Sequence, residues 1–491
     1  MRHLTIHPDQ ARQTLDNFGA SACWWVDPVH KAFPPEAFRD IARLLFDRET
    51  GAGLSCLRVN LGAGSSWYDT EYVENWNMRA ACFQHGPNAP YDWSVHAGQQ
   101  ALLALAREHG VERTIAFSNS PPAFLTANGH TRCDETTGTT NLPHGAEPAF
   151  ARFLCDVLAH FEAIGLPFDY ISPINEPQVP WDTPKQEGCR YSNEDAIRLT
   201  LVLAKELKAR GLSARILANE CNNLLSLPDI ESVEPLLEGI PGIDRYRGWQ
   251  FGGKYCESVR DYFDLPFIRE AIAPIVAAHS YETVEPGILA PMREILRGTL
   301  QQYGGLEYWM TEYCVLGDFG AGRDLGMDTA LHVAAVMHAD LAVADAAAWQ
   351  WWLAVSGGDW KDGLIYVDLD EAGHAGGVHP SKTLWAMAHY ARFLRPGSRR
   401  VALDGSDVEQ GLLATAWINA EGRLVLVLAN TTDAAVDVSV DGMAGGTSPG
   451  DAADGTGTLY LTDADRTLEP HPDTSGAFRL PPRSLATFLP D

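Results

Sequence analysis

Between about residue 17 and about residue 390, eight short β-rich apolar runs alternate with segments of helical pattern, and this alternation restricts the chain more than any other feature. The runs are Gly19 to Trp25, Leu54 to Leu61, Thr114 to Asn119, Tyr170 to Asn175, Ala214 to Asn219, Ile275 to Tyr281, Tyr308 to Tyr313 and Ala346 to Leu353. Strands that alternate with helices build parallel sheets, because a helical crossover returns each strand to the same end, and eight such units close a barrel. The expected fold is α/β, a (β/α)8 TIM barrel.

The intervening segments support helices. Phe150, Phe153, Leu154, Val157, Leu158 and Phe161 recur at helical spacing after Pro148, and Gly165 ends the pattern. A second helix starts near Ser192, where Ser192 and Asp195 have capping-box spacing, and runs to Gly211. After about residue 395 the texture changes: Ala414 to Ile418, Arg423 to Asn430 and Val436 to Val440 read as antiparallel strands joined by short turns. An attached antiparallel β-sandwich side domain is therefore expected over 393–491, behind a barrel over 16–392. The lone run Leu4 to His7, within 1–15, should join that sandwich. Gly445 to Thr458 reads as a loop, and the insert between Leu224 and Tyr262 is placed to close one end of a cleft.

Acidic residues outnumber basic ones by 64 to 37, for a net charge of -27. That balance disfavours nucleic acid and anionic membrane surfaces as partners, and fits a neutral substrate. Met1 to Asn17 holds no apolar run of signal-peptide length, so the chain as given reads as cytoplasmic, or as secreted if an export signal has been trimmed. Nine cysteines without a CxxC pair suit reduced thiols. No metal or organic cofactor is expected: HExxH is absent and the histidines lack ligand spacing.

Barrel enzymes place their chemistry at the carboxy-terminal ends of strands. The fourth run ends Asn175-Glu176-Pro177 and the seventh ends Thr311-Glu312-Tyr313, at exits that face each other across an eight-stranded mouth. A carboxyl pair across a cleft is the equipment of glycoside hydrolysis. Cys314 shares a strand face with Glu312, yet no activating base stands beside it in sequence.

These residues, with Asp16-Asn17-Phe18-Gly19-Ala20, Arg58-Val59-Asn60-Leu61-Gly62, Ser118-Asn119-Ser120-Pro121-Pro122, Phe124-Leu125, His279-Ser280-Tyr281 and Trp349-Gln350-Trp351-Trp352, resemble glycoside hydrolase family 30 over nearly the whole chain. The resemblance implies a barrel joined to a β-sandwich made from both chain ends, with Glu176 as general acid/base and Glu312 as nucleophile of a retaining hydrolase. Glu312 should stay ionised beside Arg58 and Tyr281, and Glu176 should be the protonated partner. Asn175 would bind the sugar 2-hydroxyl; its other reading is a strand-end amide that satisfies backbone groups. Trp351 is assigned as the sugar platform and Trp352 to the core, since neighbouring strand residues face opposite ways. His279 and Tyr281 share a face that can reach the site. Asn119, Phe124, Trp181, Trp24 and Trp25 complete the candidates.

The stretch Trp181 to Tyr191 contains Gln186-Glu187-Gly188-Cys189, which resembles the β-1,6-galactanase branch of the family. The expected substrate is β-1,6-galactan or its oligosaccharides. The alternatives are a β-glucosidase, β-xylosidase, fucosidase or glucuronoxylanase of the same family, a transglycosylase using the same glutamates, or a non-catalytic carbohydrate-binding barrel.

Overall fold

The computed structural model describes residues 1–183, 185–237, 254–316, 320–406, 408–442 and 456–491. The barrel strands are β2 (Asn17–Ser21), β3 (Cys56–Asn60), β4 (Arg113–Phe117), β5 (Tyr170–Ser172), the pair β6 (Arg215–Ile216) and β7 (Ala218–Cys221), β8 (Ile275–His279), β9 (Glu307–Tyr313) and β10 (Ala348–Ser356). They follow β1 (Arg2–Thr14), which lies outside the barrel. All neighbouring barrel strands pair in parallel. The fifth barrel strand is split: β6 pairs with β5 and β7 pairs with β8, so the ring closes through a break at Leu217. Just beyond that break, Asn219 and Glu220 adopt positive φ of 77° and 40°, which turns the exit of this strand.

The helix expected around Phe150 spans Glu147–Ala163 with Pro148 in its first turn. The next spans Asn193–Arg210; the Ser192 side chain accepts from the Asp195 N–H, and Gly211 ends it in the left-handed region. A hairpin that the sequence reading did not foresee, β11 (Gly363–Leu369) and β12 (Ala375–Pro380), continues from β10. The insert between Leu224 and Tyr262 has its middle, 238–253, outside the described residues, as does most of the expected Gly445 to Thr458 loop.

The side domain contains β13 (Arg399–Asp404), β14 (Leu412–Ile418), β15 (Leu424–Asn430), β16 (Val436–Asp441), β17 (Thr456–Thr462), β18 (Glu469–Ser475), β19 (Ala477–Leu480) and β20 (Ser484–Pro490). The sheet order is β18-β17-β20-β15-β14-β13-β1-β16-β19, antiparallel except where β1 runs parallel to β16. Phe478 on β19 meets Phe488 on β20 at 5.3 Å between ring centroids, although five strands separate them in that order. The sheet thus folds over its own apolar face, which holds Leu4, Val401, Leu426, Val438 and Leu459.

Its other face packs on the barrel through Leu413, Ala429 and Leu485 against Ala330, Leu331 and Ala386 of the helices Met327–His338 and Lys382–Ala391. Within this interface the buried His389 bridges the hydroxyls of Thr487 (2.8 Å) and Thr462 (2.9 Å). Burial lowers the His389 imidazole to about 3 and the buried His338 to about 4, against an unfolded value near 6.5. Because the folded values are depressed, the stability is present above about pH 6.5 and is lost as pH falls toward the folded values. At pH 5 the two imidazoles together should cost about 4 kcal/mol relative to neutral pH. Thermal unfolding is expected to show a falling midpoint from pH 6.5 to pH 5 that His389→Gln makes shallower; equal slopes for the two proteins would dissociate His389 from acid lability. No helix among the described residues is long and apolar enough to cross a membrane.

Candidate active site

An aromatic-lined cleft of about 670 Å³ opens at the carboxy-terminal end of the barrel. Glu176 and Glu312 both line it, together with Asn175, Trp181 and Tyr281. One carboxyl oxygen of Glu176, one of Glu312 and a ring nitrogen of His279 all lie within 4.8 Å of one another. Glu176 itself has φ 46°, and Trp24, Trp181, Asn219, Glu220 and Glu282 around the mouth share this left-handed conformation. Such backbone costs energy at non-glycine residues and is found where the surroundings hold side chains to a task.

The charges are layered. Arg58 on β3 is buried and donates to Glu312 Oε2 at 2.5 Å and to Asn175 Oδ1 at 3.1 Å, while its guanidinium lies 4.1 Å over the Phe117 ring. The Tyr281 hydroxyl donates to Glu312 Oε1 at 3.1 Å. His279 has Nδ1 2.8 Å from Glu176 Oε1 and Nε2 3.2 Å from Glu220 Oε2. Burial alone would lower the imidazole, but the Glu312 charge and the hydrogen bonds to Glu176 and Glu220 raise it to about 9. It is an imidazolium at neutral pH and donates to both carboxyls. Glu176, His279 and Glu312 are close enough to surround an ion, though an ion there would have to displace the proton that His279 shares with Glu176 and Glu220.

Burial pushes the Glu312 carboxyl up from its ordinary range, opposed by the His279 and Arg58 cations and reinforced by Glu176. The 2.5 Å contact with Arg58 favours its carboxylate form against that push. Cys314 also lines the cleft, and burial raises its thiol well above the usual range, which favours the protonated, less nucleophilic form.

Glu220 is the main residue that the sequence reading missed, because that reading ended the fifth strand at Asn219. Its carboxyl is buried and accepts from Ser172 Oγ, from Thr311 Oγ1 at 2.5 Å and from His279. Burial would raise it, but Arg58 and the His279 hydrogen bond hold it at about 2. Glu220→Gln is expected to move the His279 titration from about 9 toward 6.5, since the lost anion no longer favours the imidazolium. NMR titration of the ring would show the shift, and an unmoved titration would uncouple the two residues.

Several expected positions need correction. Trp351 is not a sugar platform: its indole N–H donates to the Asp362 carbonyl at 2.6 Å, and its ring lies against Trp349 and Tyr313, behind the barrel wall. The inward phase of β10 carries Gln350, bonded to Asn17 on the neighbouring strand β2, and Trp352, which lines the cleft edge-on to Trp24 at 5.1 Å. Asn119 is buried and absent from the cleft lining; the chain turns there, with Ser118 Oγ bonding the Ser120 carbonyl, and carries it aside. Phe124 lies in a single helical turn, Ala123–Leu125, tied to Ala63 and likewise off the cleft. Trp25 does line it, as do Trp76 and Trp360, which had not been singled out.

The Gln-Glu-Gly-Cys run builds one wall. Glu187 accepts the backbone N–H groups of Ala63 and Ser65, and burial raises its carboxyl to about 7. A Cβ on Gly188 would come within 2.0 Å of the Trp181 ring, so only glycine lets that indole lie flat there. Trp181 in turn donates from its indole to the Glu176 carbonyl at 3.1 Å. Gln186 reaches the cleft.

A parallel barrel with opposed carboxyls in an aromatic cleft at its strand exits is the architecture of the glycoside hydrolases. Residues 1–366 match the O-glycosyl hydrolase family 30 model and residues 397–488 match the family 30 β-sandwich domain. The chain belongs to glycoside hydrolase family 30. It is 24% identical over 453 residues to an endo-β-1,6-galactanase of Hypocrea rufa, covering 87% of this chain and 81% of that one. A conserved exported protein from Bacteroides fragilis superposes with TM-score 0.83 at 28% identity, over 99% of this chain and 100% of that one. The catalytic domain of a family 30 xylanase C from Talaromyces cellulolyticus gives TM-score 0.70 at 23% identity over 100% of both chains.

Proposed function

We propose that the protein is a retaining hydrolase of β-1,6-linked galactan or galactooligosaccharides, with Glu312 as nucleophile and Glu176 as acid/base. The observation that carries the retaining reading is the closeness of the carboxyls. Oxygens of Glu176 and Glu312 within 4.8 Å suit the roughly 5–5.5 Å separation of retaining enzymes, whereas an inverting pair stands about 6.5–9.5 Å apart to admit water. The division of roles follows from the neighbours. Glu312 touches Arg58 and Tyr281, which favour its anion for attack on the anomeric carbon, while Glu176 has no arginine contact among the described residues and has the more exposed carboxyl.

In the first step Glu312 bonds to the anomeric carbon as Glu176 protonates the departing oxygen. In the second, Glu176 takes a proton from water, which displaces Glu312. Asn175, fixed by Arg58, is set to bond the sugar 2-hydroxyl. The galactan reading is supported by the similarity to the galactanase and, within the Gln186 to Cys189 run, by Gln186, which lines the cleft.

The test is hydrolysis of β-1,6-galactooligosaccharides beside aryl β-galactosides, glucosides, xylosides and fucosides, with products resolved by size and anomeric form. β-Configured galactose or galactobiose as first product is expected. Inversion would overturn the role of Glu312, and cleavage of another sugar alone would overturn the galactan reading.

A further inference from the structure

Asp362 is a buried carboxylate in the cleft wall that lacks a full set of partners. It follows β10 in the turn before β11, lines the cleft beside Trp352, Cys314 and Trp360, and is 9% exposed. Ser356 and its own backbone N–H reach the carboxyl, yet Oδ1 has no hydrogen-bond partner among the described residues. Among the described residues no cation pairs with it either. The adjacent Lys361 is committed to the carbonyls of Gly320 and Gly322, and Arg323 to Asp368. A buried acceptor left without a donor is costly, and native structures keep such groups where something else completes them. Burial raises this carboxyl to about 6, as expected for an acceptor whose solvation has been removed.

The geometry points to a hydroxyl of the sugar in the cleft as the missing donor. We propose that Asp362 Oδ1 is a specificity-determining acceptor for a hydroxyl on the C3–C4–C6 edge of the sugar whose anomeric carbon meets Glu312. The edge follows from the barrel. Glu176 leaves the fourth strand and Asp362 the eighth, on opposite sides of the ring. The scissile oxygen faces Glu176, so the opposite wall meets the far side of the pyranose, away from C1. Trp352, next to Asp362 in the lining, offers an apolar face to the ring while the carboxylate binds its rim, the usual division of labour in sugar recognition. The ligand class is a neutral hexopyranoside, since an anionic sugar would meet a carboxylate here.

This inference rests on the glycosidase reading and is independent of which sugar is cleaved. Asp362→Asn keeps the shape, and Asp362→Ala removes the acceptor. Both are to be measured against aryl β-glycosides of the sugar turned over and against its 3-, 4- and 6-deoxy analogues, with thermal melts verifying the fold. The expected result is a fall in kcat/KM of about tenfold or more on the full sugar, absent on the one deoxy analogue that lacks the partner hydroxyl. Equal losses on every analogue would reduce Asp362 to a structural role and overturn the proposal, as would wild-type activity in both variants. Failure on galactosides with turnover of another hexoside defeats only the galactan reading, because the deoxy series is then read on that hexoside.

Discussion

Glu312→Gln is expected to lower kcat by at least about 10³-fold while leaving the fold intact, because an amide cannot form the glycosyl ester on which the retaining route depends. The replacement is nearly isosteric, and its amide oxygen still accepts from Arg58 or Tyr281, so the buried guanidinium is not left bare. Steady-state kinetics and a thermal melt on the same sample separate the two effects. A melting point close to wild type with turnover gone is the expected pair; full activity would remove Glu312 from the mechanism.

Glu176→Ala should fail in a more selective way. Losing the proton donor costs general-acid catalysis of about 10²–10⁴-fold where the leaving oxygen is basic, as in a disaccharide, and little where the leaving group is a dinitrophenolate. Formation of the glycosyl-enzyme then outruns its hydrolysis, since no base activates water. Azide, entering the space vacated by the side chain, should attack the anomeric carbon from the same face and release a β-glycosyl azide. Uniform loss on all leaving groups without azide rescue would argue against the acid/base role. His279 loses its 2.8 Å partner in this variant but keeps Glu220, so the imidazole remains in place.

The eight strand positions were legible because each carries a compact apolar run, and both glutamates because Glu176 stands just past one such run and Glu312 at the end of another. Arg58 came from the family resemblance, and His279 and Tyr281 from that resemblance together with their shared face on the sixth run. Trp351 and Trp352 show where the logic stops. A parallel strand buried on both faces has no polar alternation to set its phase, and a shift of one residue exchanges the cleft for the outer layer. Glu220 was hidden for a different reason: it enters the barrel through positive φ at Asn219 and Glu220, a bend imposed by tertiary contacts that neither residue type announces. Asn119 and Phe124 sit at a strand exit as expected, yet the turn at Ser118 and Ser120 leads both away from the cleft. Asp362 depends on the β11–β12 hairpin, which had no place in the eight-run pattern.

The narrow gap between Gly188 and the Trp181 ring bears on how kinship among these enzymes should be weighed. Of the four residues Gln186 to Cys189, one clamps a neighbouring loop, one clears room for an indole and one is buried, which leaves Gln186 alone in the cleft lining. A run of this kind acts as masonry, holding the wall of the cleft. It can pass unchanged between enzymes that have diverged in diet, provided both need the same tryptophan standing in the same wall. Redesign of preference in this chain would therefore leave Glu187 and Gly188 untouched and vary Gln186, which faces the cavity from the same run.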